Sequence, residues 1–221
     1  MSAEEKIKKI LPLLEERYPN PDTELRYTNL YELIVAVVLS AQCTDKRVNE
    51  VTPHFFQLYP NFEKLAEADP SEVAKVISSI SYPNNKAKNL VALAKKVMSD
   101  YHGKVPGQLE ALMALPGIGR KSANVILAVG FQIPAFPVDT HVFRVTHRLG
   151  LSRAKTPEKT EEEMKILIPP AEYIKAHHLF ILHGRYVCKA RMPLCEKCPL
   201  IPYCEFYREN LKVKPKLKEP I

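Results

Sequence analysis

Apolar residues recur three and four positions apart along almost the whole chain. Ile7, Ile10, Leu11 and Leu14 form one such stripe, and Leu90, Val91, Leu93, Ala94, Val97 and Met98 form another. This spacing turns one side of an α-helix toward a core. No run of alternating apolar and polar positions competes with it, so the expected fold class is all-α. The 19 prolines and 7 glycines fall mainly between the stripes, as at Pro19, Pro60, Pro70, Pro106, Pro116 and Pro137, where they end one helix and start the next. The pattern predicts helices over 3–17, 29–42, 45–59, 71–80, 84–101, 107–114, 119–130, 140–149, 157–168 and 173–187, then a loose Lys/Pro-rich tail over 209–221. No repeat and no Gly/Ser linker divides the chain by pattern alone.

Composition then narrows the class. A chain of 221 residues buries enough surface to fold without disulfide or metal staples, so any metal site is a local addition. The longest apolar runs, Leu33–Leu39 and Val125–Phe131, are far shorter than the roughly 20 residues of a membrane-spanning helix. The expectation is a soluble, cytoplasmic, monomeric protein with no membrane partner. The net charge is +7, and residues 181–221 alone carry nine Lys/Arg against four Glu. A basic region of that kind suits a polyanion such as nucleic acid.

Four of the five cysteines fall in the pattern Cys188-x6-Cys195-x2-Cys198-x5-Cys204. An odd number so crowded is a poor disulfide framework and a good ligand set. Zinc is one reading, although four-thiolate zinc sites usually show two CxxC pairs. A single CxxC flanked by wider gaps favours an iron–sulfur cluster. Lys189, Arg191 and Lys197 stand among these ligands, where short loops would present them to phosphates. Cys43, the fifth, reads as a small buried residue.

Leu115-Pro116-Gly117-Ile118-Gly119-Arg120-Lys121-Ser122-Ala123 ends one helical stripe and begins another, which predicts a tight hairpin. Glycine lets backbone approach a ligand closely, so amides near Gly117 and Gly119 can point at a phosphate. Lys121 falls in the first helical turn, where the helix dipole and Arg120 both disfavour a protonated amine and so favour a nucleophile. A plain phosphate contact by Lys121 fits the same position. Asp139, in Pro137-Val138-Asp139-Thr140-His141, precedes a helical stripe as an N-cap would. It could also serve a cationic sugar and shuttle protons. His141 reads as a DNA contact.

Taken together, the hairpin, Val138-Asp139-Thr140-His141, His183-Gly184-Arg185-Tyr186 and the cysteine pattern resemble the endonuclease III family of helix-hairpin-helix DNA glycosylases over about residues 5–208. The resemblance implies two helical domains with a DNA-binding cleft between them: a six-helix barrel over 23–134, and a cluster domain of 1–22 plus 135–221. It places the catalytic lysine on Lys121, the aspartate on Asp139, and a 4Fe–4S cluster on Cys188, Cys195, Cys198 and Cys204. It implies a base excision repair enzyme that removes oxidised pyrimidines from duplex DNA and nicks abasic sites by β-elimination. Gln42 and Tyr82 match the residues that fill the hole left by the flipped base. Ser81 and Pro83 depart from the family's usual glycine and aromatic residue, and Met192 and Leu194 stand where basic residues are common. A mismatch adenine glycosylase shares most of these motifs but normally lacks the lysine. A non-enzymatic damaged-DNA-binding module would not need Lys121 and Asp139 together.

Overall fold

A computed structural model of the chain describes residues 1–210. Most of the expected tail lies outside the described residues, and its first two members, Glu209 and Asn210, close a helix instead. Among the described residues there is no strand. The α-helices are α1 (Ala3–Arg17), α2 (Leu30–Ser40), α3 (Asp45–Leu58), α4 (Phe62–Ala66), α5 (Pro70–Val76), α6 (Pro83–Tyr101), α7 (Leu109–Met113), α8 (Arg120–Val125), α9 (Thr140–Leu149), α10 (Pro157–Leu167), α11 (Tyr173–Tyr186) and α12 (Glu205–Asn210).

Besides α12, which has no expected counterpart, three of these differ from the expectation. The sequence reading has no counterpart to α4, because a five-residue helix is too short to show a periodic stripe; Asn61 caps it and Phe62 and Leu65 bury it. Helix α5 starts at Pro70, capped by Asp69, and stops at Val76 rather than running to 80. The stretch predicted as one helix over 119–130 is α8 followed by a π turn over Ile126–Gly130, in which the Phe131 amide reaches back five residues to the Ile126 carbonyl at 3.3 Å. Continuous burial of Ile126–Val129 hides that change of winding from any periodicity argument.

The chain divides into two compact units, Met1–Asp22 with Phe136–Ile221, and Thr23–Ala135. In the first, Ile10 and Leu14 of α1, Val142 and Leu149 of α9, Leu179 and Phe180 of α11, and Leu200 from the cysteine segment share one core. Helix α1 is started by a capping box in which Ser2 and Glu5 satisfy each other's amides at 3.1 and 2.8 Å, closing two of the four orphan donors of that end. Its buried Lys6 donates to the Leu149 carbonyl at 3.0 Å and pairs with Glu205 at 2.7 Å. A cation is thereby set on the C-terminus of α9, where the dipole welcomes it. Gly150 ends α9 with φ +70, a conformation that calls for glycine, and a Cβ there would displace the Glu205 carboxylate, whose carbon lies 2.1 Å away. Gly184 lets α11 approach the first turn of α9, since a Cβ would lie 2.8 Å from His141 Cβ.

In the second unit, Leu33 to Leu39 of α2 are all buried, which makes α2 a helix with no solvent face along most of its length. Helix α6 packs on α2, α4 and α5. Gly130 closes the π turn against α2, where a Cβ would stand 2.6 Å from Leu30 Cδ1 and 2.9 Å from Leu33 Cδ2. These contacts set the backbone from which the hairpin between α7 and α8 projects.

Candidate catalytic residues and metal centre

Between α7 and α8 the hairpin is anchored by Leu115 and Ile118, both buried, with the Ile118 amide donating to the Leu115 carbonyl at 3.2 Å. The two glycines differ in kind. Gly117 has φ +80 and a Cβ there would meet Asn89 Cβ at 3.0 Å, so the turn itself requires glycine. Gly119 has φ −90, and a Cβ there would meet nothing within 4 Å. No described residue crowds position 119. It is the N-cap of α8 and contributes no side chain to that helix start, and Lys121 is exposed in the turn that follows.

Asp139 is the N-cap of α9 and is 9% exposed. Its Oδ1 accepts from the His141 and Val142 amides, both at 2.8 Å, so the expected cap is made through one carboxylate oxygen. His141 is half-buried, with Nδ1 3.1 Å from Arg144 Nη2. Burial lowers its pKa below the ordinary histidine value, against the opposing pull of Asp139. Arg144 also donates to the Gly184 carbonyl at 2.9 Å and, through Nε, to the Cys188 carbonyl at 2.9 Å. It thus joins the start of α9 to the first cysteine.

Cys188, Cys195, Cys198 and Cys204 line one cavity with Arg148 and His183, and all four are unlinked. Among the described residues no three His, Cys, Asp or Glu side chains converge on a point that would hold a single ion. Donors surround the sulfurs instead. Arg148 Nη1 lies 3.4 Å from Cys188 Sγ, the Tyr207 amide 3.4 Å from Cys204 Sγ, and His183 Nε2 3.5 Å from Cys198 Sγ. Burial pushes the Cys198 thiol up to about 11 and raises Cys195 and Cys204 as well, with neighbouring cysteines adding to each shift. Four thiolates there need a positively charged occupant. Burial, and then Arg17, holds His183 down to about 4. Its Nδ1 is buried and unpartnered, and its Nε2 faces the Cys198 sulfur.

Arg148 also donates to the Lys189 and Ala190 carbonyls at 2.8 and 3.1 Å and lies 4.4 Å over the Phe206 ring. It folds the loop that carries Lys189 and Arg191, both exposed. Sequence reasoning singled out neither Arg144 nor Arg148; their i, i+4 spacing on α9, which faces both toward the cysteine loop, was the available signal. In the second unit, Gln42 and Tyr82 both adopt left-handed backbone, φ 54 and φ 56, and both are exposed. Non-glycine residues are uncommon there.

The sequence matches, over residues 35–170, the family described as HhH-GPD superfamily base excision DNA repair protein. It is 48% identical over 206 residues to endonuclease III of Rickettsia conorii, spanning 93% of this chain and 98% of that protein. Among solved structures it is similar to a trapped endonuclease III–DNA covalent intermediate in an estranged-adenine complex, with TM-score 0.91 and 40% identity over 95% of this chain and 99% of that one. A non-covalent endonuclease III–DNA complex matches with TM-score 0.92 and 38% identity, over 96% of this chain and all (100%) of that one.

Proposed function

The chain belongs to the HhH-GPD superfamily of base excision DNA repair proteins, and from that premise we propose that it is a DNA glycosylase and abasic-site lyase acting on oxidised pyrimidines in duplex DNA. The observation that carries this reading is the near-full-length similarity to endonuclease III. The relative trapped with DNA is a covalent intermediate, which supports a nucleophilic side chain.

Lesion extrusion from the duplex brings the sugar to the enzyme. The Lys121 Nζ attacks C1′ through its lone pair; the C1′–N bond to the base breaks, and the base leaves with the electron pair and takes up a proton. Transfer of an amine proton to O4′ lets the nitrogen lone pair break the C1′–O4′ bond, which opens the sugar ring to an iminium linking C1′ and Nζ and leaves a hydroxyl on C4′. Removal of a C2′ proton then expels the 3′ phosphate by breaking the C3′–O bond, and water hydrolyses the imine to free Lys121. The Asp139 carboxylate stabilises the cationic sugar and relays the protons. Gly119, Gly117 and Arg120 bind a phosphate at the hairpin, and His141, Lys189 and Arg191 are further DNA contacts. Cys188, Cys195, Cys198 and Cys204 would hold a 4Fe–4S cluster, whose irons take thiolate ligands and suit four cysteines that line one cavity. When bound, the cluster fixes the 188–204 segment and its cations.

The two glycines of the hairpin supply a test of the phosphate contact. Gly117→Ala is expected to lower stability by about 1 kcal/mol or more, because it forces φ > 0 on alanine. Gly119→Ala is expected to change the melting temperature little while weakening duplex binding severalfold, because its Cβ occupies the space a phosphate would use. Equal loss of stability in both variants would refute the distinction. Asp139 separates capping from catalysis in the same manner. Asp139→Asn keeps an oxygen for the His141 and Val142 amides and removes the charge, so base release is expected to fall about 10²-fold or more at near-unchanged stability. Asp139→Ala should lose a further ~1 kcal/mol of stability with the cap. Full activity in Asp139→Asn would leave only the cap.

The function itself is tested with a duplex carrying one thymine glycol, following free base by chromatography and nicked strand by gel. Both products are expected, the nick ending in a 3′ unsaturated aldehyde. Tight binding with neither product would assign a binding module.

A further inference from the structure

Lys86 lies one turn into α6 and is only 7% exposed. A lysine so buried costs free energy unless its ammonium is hydrogen-bonded, and burial does lower its pKa, with Cys43 pulling the other way. Its Nζ donates to the Leu39 carbonyl at 2.8 Å and to the Ala41 carbonyl at 2.6 Å. These are carbonyls at the end of α2, where helical partners run out and the dipole favours a cation. The next residue is Gln42, in left-handed backbone, and the Cys43 amide closes the turn on the Ser40 carbonyl at 3.0 Å. At the other end, the Lys86 amide donates to the Tyr82 carbonyl at 3.1 Å. Tyr82 is left-handed as well, caps α6 without a side-chain hydrogen bond, and is 65% exposed.

One residue is therefore bonded to two loops that each carry an exposed non-glycine residue in left-handed backbone, Gln42 and Tyr82. Such conformations persist only where the surroundings over-determine them. We propose that Lys86 is a positioning residue for lesion recognition: its ammonium grips the end of α2 and holds the Gln42 loop at a fixed spacing from the Tyr82 loop. The inference rests on the reading that Gln42 and Tyr82 enter the hole left by an extruded base. Lys86 touches neither DNA nor the reacting atoms; it acts through Gln42, so its loss costs recognition of the opened duplex.

The test uses the full-length protein and a duplex with 2-aminopurine opposite a reduced abasic site, whose fluorescence reports how the orphaned base is stacked. At saturating protein, Lys86→Met is expected to lose at least half of the wild-type fluorescence change, as Gln42→Ala does, and the double variant no more than Gln42→Ala alone. Should Lys86→Met fail to fold, Lys86→Gln, which retains one amide donor, takes its place with the same outcomes. A full signal from the Lys86 variant, or losses that add in the double variant, would overturn the inference alone. A full signal from both Gln42→Ala and Tyr82→Ala would overturn the void-filling reading and the inference with it.

Discussion

Replacing Lys121 with alanine is expected to reduce nicking of lesion duplex at least about a thousandfold, with the fold intact. The side chain is exposed on the first turn of α8, so its removal should shift stability by no more than about 0.5 kcal/mol. The size of the loss follows from its role: without a nucleophile no imine forms, and base release and elimination lose their shared intermediate. Lys121→Arg discriminates between the two readings of this residue. A guanidinium keeps the positive charge for a phosphate but cannot form an imine, so the catalytic reading expects arginine to be as inactive as alanine. Near-native nicking by Lys121→Arg would reduce Lys121 to a phosphate contact.

The second large effect is expected at Cys198. Its thiol is the one pushed furthest up by burial, to about 11, and it lies two residues from Leu200, which is fully buried at 0% exposure in the core of its unit. Cys198→Ser should therefore abolish bound iron and the visible absorption that accompanies it. Because metal-binding free energy in such a loop is also folding free energy, the melting temperature should fall on the order of 10 °C. The effect should spread to Arg148, which spans Cys188, Lys189 and Ala190, and to Arg144, which reaches the Cys188 carbonyl. DNA affinity should drop with it, since Lys189 and Arg191 lose their fixed loop. Native stability with no iron in either the wild-type protein or Cys198→Ser would show that these thiols serve no cluster.

Much of the fold was legible because apolar stripes report helices directly. Helices α1, α6 and α9 lie within a residue of their expected bounds. What escaped was local or long-range. Five residues do not make a stripe, so α4 was invisible, and a π turn has the same burial pattern as the α-helix it interrupts. At the site, the cysteine spacing, the hairpin glycines and the Asp139 cap follow from near neighbours, which sequence rules describe well. The sulfur contacts of Arg148 and His183 do not follow from near neighbours, since their partners lie 40 and 15 residues away. Lys86 is a sharper instance: no local pattern foretells that a lysine in Pro83-Asn84-Asn85-Lys86 is buried against carbonyls 45 and 47 residues upstream. Cys43, expected to be buried, is only partly so.

If Lys121 is the nucleophile, borohydride traps its bond to DNA. The protein is incubated with a duplex carrying one thymine glycol in the presence of borohydride, beside Lys121→Ala, and the adduct is digested and sequenced by mass spectrometry. The expected result is a reduced sugar on the peptide containing Lys121 and no adduct in the variant. An adduct on another amine, or none at all while the base is still released, would contradict the mechanism.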